Sequence, residues 1–152
     1  ALGTAWTAIV STSTVNARDN TNTNPGVSAG VPIYLLNDTL LANDNADLWD
    51  GAIAVAFDID GSGSLTAHGA VWSGTKSDGT KTTIPLGSGG TNSRGLTFLT
   101  NLSWIESTAQ NDFVSNPLYA ISAAITVVPE PGTAALLALG LIGMRGVRRQ
   151  RP

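Results

Sequence analysis

The 152-residue chain contains no cysteine, which excludes disulfide staples, thiolate metal sites and a cysteine nucleophile. That absence leaves the compartment open, because exported bacterial proteins often lack cysteine. Histidine occurs once, at His68, whose nearest charged residues in sequence are Asp58, Asp60 and Lys76. A metal ligand or general base needs partners, so His68 reads as a loop residue before a strand. Charged residues make up only 12% of the chain, while glycine, serine, threonine and asparagine are plentiful. Strands joined by long polar loops suit that mixture better than a helical bundle. Long hydrophobic runs are also missing. The longest, at 133–144, has about 12 residues, against the ~20 that span a bilayer comfortably.

Basic residues are scarce until the end of the chain. Residues 1–127 hold ten acidic side chains against Arg18, Lys76, Lys81 and Arg94, a balance of −6. The remainder sets Arg145, Arg148, Arg149 and Arg151 against Glu130, a balance of +3. So acidic a body excludes nucleic acid as a partner, because phosphate binding needs clustered lysine and arginine. The first residues, ALGTAWTAIV, carry neither methionine nor a basic n-region. The expectation is that a signal peptide has been removed or that the sequence begins within a longer chain.

Loose alternation around Trp6, Ala8 and Val10 predicts a strand over 4–11. Residues 12–30 read as a short helix at most, then loop. Further strands are expected over 31–38 and 39–42, with a turn at Asn37-Asp38 between them. One or two helical turns over 43–51 follow, capped by Asn43 or Asp44 and ended by Gly51. A buried strand is expected over 52–60, a strand and polar turn over 69–80, a flexible loop over 84–95, and last strands over 96–107 and 117–128. The mixed order predicts an α+β fold rather than a regular βαβ array.

The segment at 58–64, DIDGSGS, is the sharpest candidate for chemistry. Asp58, Asp60 and Ser62 at alternate positions, followed by Gly63, are candidate Ca²⁺ ligands at the start of an EF-hand-like loop. The twelfth position, which should be a bidentate glutamate, is Gly69, so the EF-hand itself fails and a looser Ca²⁺ site in a loop is what remains. The plainer alternative is a solvated Asp-Gly turn. Asp38, Asp44, Asp47 and Asp50 read as caps and solvation of a surface helix, with a second cation site as the alternative. Trp6, Trp49, Trp72 and Trp104 could stack sugars, but their apolar neighbours favour core packing. No Gly-x-Ser-x-Gly elbow surrounds a serine, nothing sets a glycosidase spacing for Asp58 and Asp60, and GSGG at 87–90 lacks the context of a phosphate loop. No catalytic residue and no cofactor is therefore assigned, and the chain is expected not to be an enzyme.

Two resemblances bear on function. VPIYLLNDTLLANDNADLWDG, then FDIDGSG, VWSGTKSDGT and LYAIS, with AWTAIVS and NARD before them, are similar to the endostatin-like domain. The likeness spans roughly 5–122, and Val71, Trp72, Gly74 and Gly79 are its most specific part. It implies a C-type-lectin-like α+β domain over 1–127. The family's paired cysteines have no counterpart here; IPLGSGG and Ala120 stand in their places, and Asn45 replaces a common tryptophan. The zinc and heparan-sulfate binding of animal members is not implied, because the histidines and the arginine-rich surface are absent.

At the other end, Val128, Pro129, Glu130 and Pro131 precede an apolar segment and then the arginines at 145, 148, 149 and 151. This order resembles the PEP-CTERM sorting signal of Gram-negative bacteria, over 128–152. The resemblance implies an exosortase-type processing enzyme as partner and a short transmembrane helix over 133–144 in transient contact with the membrane. It further implies export through an inner-membrane intermediate to the cell surface or extracellular matrix. The combined expectation is a surface-targeted, non-enzymatic binding protein associated with exopolysaccharide or biofilm matrix, with polysaccharide or a neighbouring surface protein as partner. A self-associating filament protein is the alternative, and a surface hydrolase comes third.

Overall fold

A computed structural model describes residues 5–65 and 69–126. The elements are short and run in a mixed order. They are strand β1 (Trp6–Ala8), helix α1 (Ala17–Asn20), β2 (Ile33–Tyr34), β3 (Leu40–Ala42), helix α2 (Asn45–Leu48), β4 (Val71–Trp72), β5 (Thr91–Gly95), a 3-10 turn (Leu102–Trp104), β6 (Ala109–Asn111) and β7 (Ala120–Ser122). Three antiparallel sheets result: β1 with β7, β2 with β3, and β4–β5–β6 with β5 central. The first and last strands pair Trp6 with Ser122 and Ala8 with Ala120, which ties the two ends of the described chain together.

The core lies between these sheets and the helices, around Ile9, Leu41, Leu48, Trp49, Val71, Trp104, Ile105 and Tyr119. Its aromatic centre is a chain of ring contacts. Trp104 lies 6.0 Å from Trp49, 6.4 Å from Phe57 and 5.6 Å from Tyr119. Tyr119 closes it by donating its hydroxyl to the Trp104 carbonyl at 3.0 Å. Burial pushes the Tyr119 hydroxyl pKa well above its ordinary value, so it stays protonated and a donor.

Several expectations hold at the level of elements. The turn at Asn37-Asp38 joins β2 to β3, with Asp38 at φ 63°. Asp44 caps α2 by accepting from the Asp47 N–H at 2.9 Å. Other expectations are corrected. The alternation at 52–60 places Ile53, Val55, Phe57 and Ile59 against the core, but the stretch itself forms no strand. Its backbone makes single hydrogen bonds instead of a ladder, the Ile53 N–H donating to the Thr100 carbonyl at 2.8 Å and the Ala54 N–H to the carbonyl of Leu41 in β3 at 2.9 Å. The polar segment 84–95 holds the central strand β5, which buries Asn92 and Ser93. Residues 96–107 form turns rather than a strand, because the Asn101 side chain accepts from the Ser103 N–H and starts the 3-10 turn. Gly95 permits this, since a Cβ there would overlap the Trp104 backbone.

Gly74 has a similar reason. It sits at φ 60°, and a Cβ would meet the backbone of Ser11 and Leu86. Around it a buried hydroxyl cluster holds separate segments together. The Thr75 Oγ1 lies 2.9 Å from the Ser11 Oγ, which accepts from the Ala17 N–H at 2.8 Å, while the Ser73 hydroxyl donates to the Ile105 carbonyl at 2.6 Å. With no cysteine available, this network is one of the cross-connections that position the loops.

Candidate functional site

The turn at 59–65 folds on itself, with Ile59 bridged to Leu65. Within it one oxygen of Asp60 accepts from the Ser62 N–H at 2.8 Å, the Ser62 hydroxyl at 2.6 Å and the Ser64 N–H at 3.1 Å. The Asp60 N–H in turn donates to the Ser64 carbonyl at 2.9 Å. The structure thus brings Asp60 and Ser62 together, in a turn that uses that Asp60 oxygen for its own donors. Asp58 is half-buried just before it. Among the described residues no group of three histidine, aspartate or glutamate side chains is placed to hold a metal ion.

The other acidic residues have local work as well. Asp47 accepts from the Asn43 N–H and side-chain amide at 2.6 and 2.8 Å, and Asp50 from the Ala52 N–H at 3.0 Å. Asn16 and Asn24 donate to Asp19 and hold its carboxyl below the usual value. His68 and the sorting-signal positions Val128, Pro129, Glu130, Pro131, Arg145, Arg148, Arg149 and Arg151 lie outside the described residues, as does the 133–144 segment. Among the described residues no helix is long and apolar enough to cross a membrane.

What composition and spacing did not single out is a cleft of about 430 Å³ beside the Asp60 turn. Its walls come from β1, β2, the extended 57–61 segment and the approach to β7. Phe57, Ile59, Val71 and Tyr119 form its apolar base, with Leu36 and Leu118 further out. Trp6 and Tyr34 stand at it with 48% and 57% of their surface exposed. The other three tryptophans are buried, as core packing requires; Trp6 departs from that expectation. Burial rises along this stretch from exposed Trp6 through half-buried Thr7 and Ala8 to buried Ile9, Val10 and Ser11, so Trp6 lies at the outer end of the β1–β7 ribbon.

This arrangement can hold a ligand by apolar contact and by the faces of two aromatic rings, with one carboxylate at the turn. A volume of this size lies within the range of small-ligand sites. Among the described residues no histidine or lysine lines it.

No curated protein and no solved structure matches the chain. Residues 127–150 match the model of the PEP-CTERM protein-sorting motif. That motif marks substrates of exosortase, so the chain carries the signal of a protein that crosses the membrane for export to the cell surface or extracellular space.

Proposed function

We propose that this exported protein is a non-enzymatic binding module, with residues 1–127 as the binding body and 128–152 as its address, and that the body engages polysaccharide of the exopolysaccharide or biofilm matrix. The observation that carries the reading is the pair of half-exposed aromatic rings, Trp6 and Tyr34, at an apolar cleft in a body whose other tryptophans are buried. Aromatic faces suit the C–H faces of pyranose rings, and amphipathic tyrosine and tryptophan tolerate a site that is dry on one side and wet on the other.

An endostatin-like, C-type-lectin-like arrangement for the body is part of this proposal. It is supported by the pairing of first and last strands and by the way the segments that carry the resemblance meet. Helix α1, from NARD, reaches the turn of SDGT. The Arg18 N–H donates to the Gly79 carbonyl at 3.2 Å, and the Lys81 N–H to the Asn16 side chain at 3.0 Å. Gly79 packs against Trp49 and Arg18, where a Cβ would come within 2.8 Å of both.

A glycan array probed with the full chain and with Trp6→Ala tests the reading. Binding of at least one glycan, weakened about tenfold by Trp6→Ala, is the expected result; each factor of ten is about 1.4 kcal/mol. A self-associating filament protein is the second reading. It is favoured by Phe113, 91% exposed in the turn after β6, itself an outer strand of its sheet. Concentration-dependent light scattering that Phe113→Ser abolishes, with no glycan bound, would select that alternative.

A further inference from the structure

Trp6 pairs with Ser122, the last residue of β7, so it stands beside the point where the chain leaves the body for the sorting motif at 127–150. Tyr34, Leu36 and Leu118 line the same cleft and are exposed, and Ile125, three residues beyond β7, is exposed as well. The fold thus leaves an open face of aromatic and aliphatic side chains at the exit of the chain. We infer that this face docks on the interface of the lipid bilayer while the chain still carries its sorting segment, with zwitterionic lipid as the partner. This goes beyond the glycan reading and needs no glycan.

The tether sets the geometry. Ten residues, 123–132, separate β7 from the apolar run at 133–144, and fully extended they reach at most about 35 Å. A body of this size has a radius of gyration of about 14 Å. Its far end therefore comes to the bilayer only on a linker stretched almost straight, whereas the exit face comes to it with chain to spare. A short tether also holds that face at an effective concentration on the order of millimolar, so an affinity too weak to recruit a free body suffices. Trp6 and Tyr34 are the residue types that settle at a membrane interface, with an apolar ring on the lipid side and a polar N–H or hydroxyl toward water. Leu36 and Leu118 add aliphatic surface beside them. The body's balance of −6 selects the lipid: anionic headgroups repel it, and zwitterionic ones do not. The apolar run at 133–144 is not the occupant, because a segment inserted in the bilayer does not at the same time cover a cleft outside it.

The test uses the full chain reconstituted in phosphatidylcholine vesicles whose acyl chains are in part brominated, bromine being a quencher that acts on contact. Trp49, Trp72 and Trp104 are buried in the body, so Trp6 is the tryptophan placed to report lipid. Part of the emission should be lost on brominated vesicles and kept on plain ones, and Trp6→Phe should remove that part. As a control, Val15→Trp in the Trp6→Phe chain puts the reporter at an exposed site beyond the buried stretch 9–11 and should show no such loss. Tyr34→Ser should weaken the Trp6 quenching. Exchanging part of the lipid for phosphatidylglycerol should weaken it too at low salt, and salt near 1 M, which screens charges beyond about 3 Å, should restore it.

Trp6 emission indifferent to bromine, in a chain that floats with the vesicles, overturns the inference and leaves the glycan reading untouched. Equal quenching at Trp6 and at Val15→Trp overturns it as well, since the body then meets lipid without a preferred face. A Trp6 shielded from both bromine and aqueous acrylamide overturns it by assigning the cleft to another part of the chain or to a second copy. A chain that does not float with the vesicles removes the premise that the sorting segment enters the bilayer, and the inference falls with it.

Discussion

Trp104 and Trp6 are the same residue in two opposite settings. Trp104 is fully enclosed, with Trp49, Phe57 and Tyr119 around its ring, and its indole N–H is buried without a hydrogen-bond partner. Leaving such a donor unpaired costs on the order of 1–3 kcal/mol, and the enclosure of a large ring in a packed aromatic centre offsets it. Trp6 gives up half of that enclosure and lies at an open ribbon beside a cleft. Close backbone approach makes the difference. Gly95 lets the 3-10 turn press Trp104 inward, whereas β1 pairs with β7 and, among the described residues, leaves Trp6 about half exposed. The enclosed ring is there for stability, and the open one is available to a ligand.

Exchanging each ring for alanine is the most severe way to break this contrast. Trp104→Ala should lower the unfolding free energy by about 3–5 kcal/mol, read from urea midpoints. Trp6→Ala should cost less than about 1 kcal/mol in the same measurement. Similar losses at the two positions would mean that Trp6 belongs to the core after all.

The hydroxyl cluster behind β4 sharpens the enclosed side of the comparison. Thr75 is wholly buried, with its Oγ1 within hydrogen-bond distance of the Ser11 Oγ and the Ser73 carbonyl. Thr75→Val keeps the shape and removes the hydroxyl, leaving Ser11 short of a partner. A loss of about 1–3 kcal/mol is expected, with Thr75→Ser recovering most of it. An unchanged urea midpoint for Thr75→Val would show that the network contributes packing alone.

The sequence carried local turn chemistry well and long-range pairing poorly. Asp44 as a helix cap, the turn at Asn37-Asp38 and the apolar alternation from Ile53 to Ile59 could all be read from a few neighbouring residues. Strand β5 could not. TNSRG is polar, and its buried positions are tied by hydrogen bonds: the Asn92 side chain accepts from the Gly87 N–H at 3.0 Å, and the Ser93 backbone pairs with Ile84 and Ser73. The 3-10 turn was hidden for a related reason. LTFLTNLSWI has strand-like composition, and the decisive fact is a glycine several residues earlier that admits the turn against β5. The cleft was least visible, since Trp6, Tyr34, Asp60 and Leu118 come from four separate segments joined only by tertiary structure.

On the open side, Tyr34→Ala should act in parallel with Trp6→Ala. Each should weaken glycan binding by about tenfold or less while shifting the urea midpoint little, because an exposed aromatic contact contributes about 0.5–1.5 kcal/mol beyond its area. If Tyr34→Ala leaves binding unchanged, Trp6 acts without it and the site is a single-ring platform.

The smallest effect expected concerns charge at the α1 contact, where the fold is held by exposed groups. Burial opposes ionisation of Asp78, but the Thr80 hydroxyl and N–H, with Arg18 and Lys76 nearby, hold its carboxyl below the usual 3.8. A carboxyl lowered in the folded state stabilises fully above its unfolded value. That contribution is lost as pH falls through the lowered one. Asp78 is exposed, so solvent screening keeps the contribution well under 1 kcal/mol. Asp78→Asn should therefore flatten the acid limb of the stability curve below about pH 4 and change the midpoint at pH 7 only slightly. The Trp104→Ala loss should stay nearly constant across the same range, because Tyr119, the titratable ring packed against it, remains protonated throughout. A pH dependence that Asp78→Asn leaves intact would place the acid sensitivity elsewhere, with Asp19 and its Asn16 and Asn24 donors as the next group to change.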